Sequence, residues 1–554
     1  MSKFVRSHRY PIVLAALCAL VFIPFLGRVH LFDWDEINFA EISREMIVLG
    51  DYLRIHVNFE PFWEKPPFFF WLQVMAMKSF GIGEFAARLP NALCGIITIL
   101  ALYGAGQRLV NARFGLLWAG AYIGSILPHF YFKTGIIDPW FNLFIATGIY
   151  FFILFFWKQQ ERADVRLPGR TLLFLIISGL AIGMAILTKG PVAYLVFGLV
   201  LVTYWALDRF RLPVSVPRFV LLTGIALCIT LAWYGLETLK HGPWFVKEFT
   251  RYQYILLSTP SAGHAGFPGY HFVVNWFGCF PASILALPAL FGKRIDAPHL
   301  ADFRKWMIIL FWVVIILFSI VESKIVHYSS LVYFPLTFLA ALTIHSIDRN
   351  TWSWTHGLTW AFLLTGGLLC IVIMAVPILG MHADWLASQI SDPFAAANLQ
   401  AQVRWSWWEL IPGIILIPVL VMAARLVRAG RPIRGFIWIC CAVAVSVWGV
   451  SYQFIPKIER YTQGAAIDFL KTLQGEDCYV DVLGYKSYAQ YFYTRKPPPD
   501  EQRHDSEQWL LTGDIDKPAY FVSRINKVDR YLVHPGLEVL YKKNGYVFLK
   551  RGVD

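Results

Sequence analysis

The sequence predicts an α-helical polytopic membrane protein of about thirteen spans, with amphipathic juxtamembrane helices and a small soluble α/β domain at its C-terminal end. Three observations carry that prediction. Of 554 residues, 57% are hydrophobic and only 15% charged, where a soluble globular protein carries about 25%. Apolar stretches of span length recur from residue 10 to residue 455, most with short loops between them. Lysine and arginine gather in alternate loops, the bias that fixes orientation in a bilayer. The formal charge of +13 follows from those loops, so composition makes no case for nucleic acid. The 22 Trp, 25 Tyr and 45 Phe suit rings placed at membrane–water interfaces.

A span needs about 20 mostly apolar residues. Candidates lie near 10–28, 89–107, 114–132, 138–157, 171–188, 190–207, 217–236, 270–291, 305–321, 326–344, 358–380, 409–426 and 434–455. Lys3, Arg6 and Arg9 before the first run resemble a signal peptide. No small-residue cleavage site follows, so the segment reads as a retained first span. Arg108 and Arg113, Lys158 to Arg170, Arg209 to Arg218, Lys293 to Lys305, Arg349, and Arg425 to Arg434 share the N-terminal side, expected to be cytoplasmic. An odd number of spans then sends the C-terminus outside. The chain divides into a transmembrane domain, 1–456, and an outer domain, 457–554. All the cysteines but Cys478 lie in apolar segments, where they act as small hydrophobes, so no disulfide framework is expected.

The first outer loop, residues 29–88, opens on an acidic cluster that ends in Asp35-Glu36. A cluster pressed against a membrane span is costly unless it has a task. Phe39, Ile42, Met46 and Leu49 recur at helical spacing, with Glu41, Arg44 and Glu45 elsewhere around the helix. That pattern predicts an amphipathic helix lying in the interface. Pro66-Pro67 can open a second helix, with Phe68 to Trp71 seated among headgroups. Trp405, Trp407 and Trp408 form another interface anchor. In the outer domain, residues 461–472 read as a helix. Strands are expected at 478–482 and 519–522, with a hairpin about Asn544-Gly545.

The polar residues that carry chemistry all fall on the outer side. Asp35 and Glu36 can act as a general base on an acceptor or as metal-binding carboxylates; an Asp there also caps a helix. Lys65, in Phe62-Trp63-Glu64-Lys65-Pro66-Pro67, puts a cation at headgroup depth, to bind phosphate as a point charge or to snorkel. Asp138, before Pro139, is a second carboxylate or a helix cap. Lys189, in Leu187-Thr188-Lys189-Gly190-Pro191, sits in a turn too tight for a plain tether. Lys324, His327 and Tyr328 can line the same cavity from the far side. His264 and His271 flank a Gly-rich loop as structural residues or ligands. This set suits group transfer from a lipid phosphate, with cations or a divalent metal stabilising the departing phosphate. Neither a P-loop nor a G-x-G-x-x-G element is present, so the donor is expected to be lipid-borne and no nucleotide cofactor is expected. A transporter or flippase is the rival, but such proteins show paired halves and polar breaks at mid-membrane. Here the polar residues sit on one face.

Asp35-Glu36 followed by Phe39-Ala40-Glu41-Ile42-Ser43-Arg44-Glu45-Met46 resembles the DE-x-R-Y-A-E-I-x-R-E-M element of bacterial GT-C glycosyltransferases. That superfamily is protein mannosyltransferase-like and includes the lipid A aminoarabinose transferases. Phe62 to Pro67 is similar to its Y-F-E-K-P-P, Ile137-Asp138-Pro139 to its second acidic motif, and Leu187 to Pro191 to its L-T-K-G-P. Asn275 to Pro281 looks like its L-L-G-F-F-P span, and Ser323-Lys324 with Tyr328 like its S-K-x-x-x-Y. The matches run in family order through the first ten spans. The resemblance implies a GT-C fold and an inverting transfer from a polyprenyl-phosphate sugar to lipid A or another envelope acceptor. The reaction would take place at the periplasmic face of a bacterial inner membrane. A protein hydroxyl is the second acceptor, and an inactive, regulatory relative a third reading. It implies that Asp35 and Asp138 are the required carboxylates, that Lys65 meets the lipid phosphate and that Tyr328 lines the cavity. Glu36, Lys189 and Lys324 complete the expected substrate-binding set. Glu64, with His264 and His271 as the nearest substitute ligands, would help hold a divalent metal. Two positions depart from the pattern: Asn38 stands where the family has Arg, and Tyr252-Gln253 where it has a metal-binding His.

Overall fold

Backbone polar groups find no water inside a bilayer, which leaves an open chain only the helix. The computed structural model describes residues 2–161, 169–258, 266–292, 295–499 and 506–553 and obeys that constraint. Among the described residues nine helices are long and apolar enough to cross a membrane: Glu84–Leu109, Asp138–Gln159, Thr171–Lys189, Val216–His241, Pro298–Ile320, Val326–Asp348, His356–Met381, Trp407–Arg428 and Pro432–Thr462. Each falls on an expected span. The other expected spans are helical but shorter or broken. The apolar part of Ser2–Phe22 covers Tyr10–Phe22, and Val192–Leu207 has 16 residues. Ala112–Ile123 stops at Gly124 and resumes as Ile126–Phe130. Residues 270–290 form three pieces, Tyr270–Gly278, Ala282–Leu285 and Leu287–Leu290, with Pro281 and Pro288 at the joints, where a missing N–H and a fixed φ interrupt the ladder.

Glu84–Leu109 turns into Ala112–Ile123 in two residues. Asn111 caps the second helix by accepting the Phe114 N–H at 3.0 Å, and Gly106 lies against Gly115 so closely that a Cβ on either would strike backbone of the other helix. Small residues let membrane helices approach in this way.

The first outer loop departs from expectation. Asp35–Leu49 is a helix, but it does not lie in the interface; every residue from Glu36 to Met46 is buried. Phe39 packs against Phe69 and Phe70 at the start of Phe68–Phe80, so those rings build a core rather than a headgroup anchor. The polar face is buried because it has partners. Arg44 donates to both Glu41 carboxylate oxygens at 2.7 Å and to the Lys496 carbonyl at 2.9 Å. Glu45 accepts the Phe59 N–H at 2.9 Å; burial and the neighbouring Glu41 charge push its carboxyl well above the usual range. Between the two helices a small hairpin, β1 (His56–Val57) and β2 (Glu60–Pro61), turns at Asn58 and Phe59. The interfacial amphipathic helix is instead Trp244–Ser258, with Phe245 and Phe249 buried beneath it and Val246, Tyr254 and Ile255 exposed.

The outer domain is built as its patterns suggest. The helix Gly464–Thr472 packs on a sheet of β3 (Tyr479–Leu483), β4 (Ala519–Arg524), β5 (Leu537–Lys543) and β6 (Tyr546–Arg551), in the order β3-β4-β6-β5. β3 and β4 run parallel; β6 is antiparallel to both its neighbours. Asn544 (φ 48°) and Gly545 (φ 77°) make the tight turn between β5 and β6, as two residues of positive φ must. The expected boundary at 457 falls inside Pro432–Thr462, one continuous helix of 31 residues that leads directly into the domain. The domain sits on the first outer loop. Tyr493 Oη accepts the Leu31 N–H at 2.7 Å, Arg495 donates to the Ile82 carbonyl at 2.7 Å and Lys496 to Asn58 Oδ1 at 2.9 Å.

Breaking a buried pair strands the surviving charge at a cost of about 3–5 kcal/mol. Glu41→Gln is therefore expected to lower the thermal midpoint of the purified protein sharply. Glu41→Gln with Arg44→Met should recover most of the loss. Thermal unfolding in detergent checks both.

Candidate active site

The acidic and basic residues singled out by sequence separate into two groups. Glu36 turns into the protein. Its carboxylate takes Arg88 Nε and Nη2 at 2.9 and 2.8 Å, the Phe32 N–H at 3.0 Å and the Gly135 N–H at 2.5 Å. Arg88 and these N–H groups outweigh the burial and hold the Glu36 pKa below the usual carboxylate range. Asp35, one residue earlier, faces the other way with a side chain 44% exposed. Glu36 thus anchors the helix and Asp35 stays open to a ligand.

Asp138 begins the helix Asp138–Gln159. Its carboxylate meets Lys189 Nζ at 2.5 Å. Lys189 is the last residue of Thr171–Lys189, followed by Gly190 at φ +100°, where a Cβ would run into the Phe249 ring. That turn aims Lys189 at Asp138 and over the Tyr328 ring, 4.8 Å from its centroid. His327 closes the group, with Nε2 at 3.5 Å from Asp35 and 3.7 Å from Asp138. One imidazole therefore bridges carboxylates that are 103 residues apart in sequence (138 − 35).

Lys65 sits at the same cleft. Burial lowers its pKa, and the charges of Glu64, Asp35 and Asp138 work against that lowering. Its ammonium lies 5.2 Å from the Tyr252 ring, and the Tyr252 hydroxyl donates to Glu64. The helix Trp244–Ser258 thereby covers the Glu64-Lys65 knot, with Trp244 edge-on to Trp63 at 6.4 Å.

Lys324 is not brought to this cleft. Its ammonium donates to the carbonyls of Phe318, Ser319 and Val321 at the end of Pro298–Ile320, satisfying groups that a helix end leaves open. His271 is buried against Ser329 Oγ at 3.0 Å. Asn38 is buried, and its Oδ1 has no partner among the described residues. His264 lies outside the described residues. Among the described residues no three of His, Cys, Asp or Glu come together as a metal cage, and Glu64 is engaged by Tyr252. Sequence reasoning noted His327 only as a cavity neighbour and gave Tyr252 no part. A histidine three residues past a lysine is a weak signal, and only the fold shows that both acids converge on it.

Half-buried lysines, an exposed carboxylate and a bridging imidazole at the outer mouth of a helical bundle can bind an anionic headgroup and take a proton from a hydroxyl beside it. A family model, dolichyl-phosphate-mannose-protein mannosyltransferase, matches residues 64–234. This match likens the chain to protein mannosyltransferases over that stretch. The chain is also similar to relatives named undecaprenyl phosphate-α-4-amino-4-deoxy-L-arabinose arabinosyl transferase. The Edwardsiella ictaluri protein is 26% identical over 377 residues, 66% of this chain and 65% of that protein. The Serratia proteamaculans protein is 26% identical over 546 residues, 91% and 92% of the two chains. The crystal structure of ArnT from Cupriavidus metallidurans bound to undecaprenyl phosphate shares the fold, with a TM-score of 0.73, 20% identity and 98% of each chain covered.

Glu36 and Asp35 are expected to separate in a simple test. Glu36→Gln weakens a buried charged pair and should lower the thermal midpoint. Asp35→Asn should stay within about 0.5 kcal/mol of wild type, as exposed positions do. Parallel unfolding curves measure the difference.

Proposed function

We propose that the protein transfers a sugar from an undecaprenyl-phosphate-type donor to lipid A or another envelope acceptor, on the periplasmic side of the bacterial inner membrane. The N-terminus is then cytoplasmic and the outer domain periplasmic. The observation that carries this reading is the convergence of Asp35, Asp138, His327, Lys65 and Lys189 on one outer cleft. Relatives named for an aminoarabinosyl donor make undecaprenyl-phosphate aminoarabinose the first substrate to try.

In the mechanism we favour, Asp35 takes the proton of the acceptor hydroxyl. The hydroxyl oxygen forms the new bond to the anomeric carbon while the bond from that carbon to phosphate oxygen breaks. The leaving group is the lipid phosphate, and its charge falls to Lys65, assisted by Lys189 and His327. Asp138 holds Lys189 in place. Tyr252 orients Glu64 and carries Lys65 on its ring, where cation–π attraction holds an ammonium. A divalent metal held through Glu64 remains part of the proposal only with ligands outside this set, and no step is assigned to it.

Membranes carrying wild type are expected to move radiolabel from the lipid-linked sugar into lipid A or glycan. Asp35→Asn should lose about 10²–10⁴-fold, the usual worth of a general base. Equal transfer by both proteins would remove Asp35 from the mechanism, and label in protein alone would favour the protein acceptor. Lys65 must be charged to meet phosphate, and burial lowers its pKa. It therefore loses its proton at lower pH than a free lysine, and donor KM should rise on the alkaline side. Lys65→Arg should shift that rise to higher pH, as read from donor KM across a pH series.

A further inference from the structure

The outer face holds a second cavity, of about 580 Å³, on the far side of the Asp33-Trp34-Asp35 segment. It lies between the short helices Ala383–Gln389 and Pro393–Asn398 and the outer domain. Asp33, Asn398, Gln463 and Arg524 give it polar groups; Tyr485 and Tyr546 give it ring faces. Two of its lining residues, Asn398 and Arg524, each carry a side-chain atom without a hydrogen-bond partner among the described residues, Oδ1 and Nε. Asn398 is only 7% exposed. Arg524 is held by stacking, with its guanidinium 4.7 Å from the Phe394 ring and 4.5 Å from that of Tyr485, so its donors are not consumed in fixing it. An amide, a guanidinium and a carboxyl beside ring faces offer what a sugar ring needs: planar polar groups for its hydroxyls and aromatic surface for its C–H face.

The cavity also shares a wall with the reaction cleft. Tyr488 gives its N–H to Asp33 at 3.2 Å, and the charges of Glu64 and Asp35 bear on its hydroxyl. Asp33 keeps its place through that bond and the Ser487 hydroxyl, and burial pushes its pKa up to about 6.

We propose that this cavity binds a sugar unit of the acceptor, next to the unit whose hydroxyl reacts at Asp35. The proposal rests on the glycosyl-transfer reading above. Ala395 lines the cavity, so Ala395→Trp would fill it. Asn398→Leu removes an amide oxygen that bonds to nothing. With lipid A as acceptor, both variants should raise acceptor KM by about tenfold or more, the worth of one or two lost hydrogen bonds, with donor KM unchanged. Asn398→Leu should keep or raise the thermal midpoint, which a merely structural residue would not do. Unchanged acceptor KM in both variants, with wild type active, overturns the cavity assignment alone. A second measurement does not need turnover. A soluble glucosamine disaccharide, titrated calorimetrically, should bind wild type and Asp35→Asn but not Ala395→Trp. Equal binding to Ala395→Trp, or none to wild type, overturns the assignment whatever the transfer assay gives. Absence of transfer by wild type with every donor tried would instead overturn the reading beneath it.

Discussion

The Glu36–Arg88 pair is the constraint on which the outer face depends. A carboxylate and a guanidinium both removed from water are tolerable only with good geometry and every remaining site filled, and here they are. Arg88 also donates to the carbonyls of Leu26 and Val29, at 2.8 and 2.7 Å, and to that of His30 at 2.9 Å. Glu36 also receives the N–H groups of Phe32 and Gly135. Three segments distant in sequence are thereby fixed to one point. Asp35 is one residue from that point along the chain and Asp138 three residues from it along another. The distance between the two acids is thus set by a pair that touches neither.

A second layer of order comes from the outer domain. It covers the helix Asp35–Leu49, and its Lys496 carbonyl supplies one acceptor to Arg44. A helix in the interface could have left Glu41, Arg44 and Glu45 in water. This one buries them, so each needs a partner. Glu41 pairs with Arg44, and Glu45 takes the Phe59 N–H. The polar half of the helix thus belongs to the packing between membrane and outer domains.

Much of this was legible in the chain. Apolar run lengths and the alternation of Lys and Arg give the helical bundle, because lipid leaves so few alternatives. Asp35, Lys65, Asp138 and Lys189 stand out because charged residues in such a chain are rare. Asn544-Gly545 gives its hairpin from local chemistry alone. What stayed hidden depends on contacts between distant segments. Helical periodicity cannot distinguish a helix half in water from one covered by a domain 450 residues later, so Asp35–Leu49 reads as interfacial. The adjacent acids Asp35 and Glu36 look interchangeable until Arg88 claims one. Lys324 looks like a site lysine until the carbonyls ending Pro298–Ile320 accept its hydrogen bonds. The four short or broken spans reflect glycine and proline at positions that hydropathy averages away.

The helix Pro432–Thr462 carries one more consequence. At 1.5 Å per residue its 31 residues extend on the order of 45 Å, against about 30 Å of hydrocarbon. Its last turns therefore stand clear of the lipid tails and lead, across Gln463 alone, to the first helix of the outer domain. The domain is mounted on a strut whose foot is in the bilayer. Its height is fixed as a caliper's jaw is fixed, and the openings beneath it admit groups held within a headgroup's reach of the membrane. Selection by depth is thus built into the frame before any side chain reads the chemistry of what arrives.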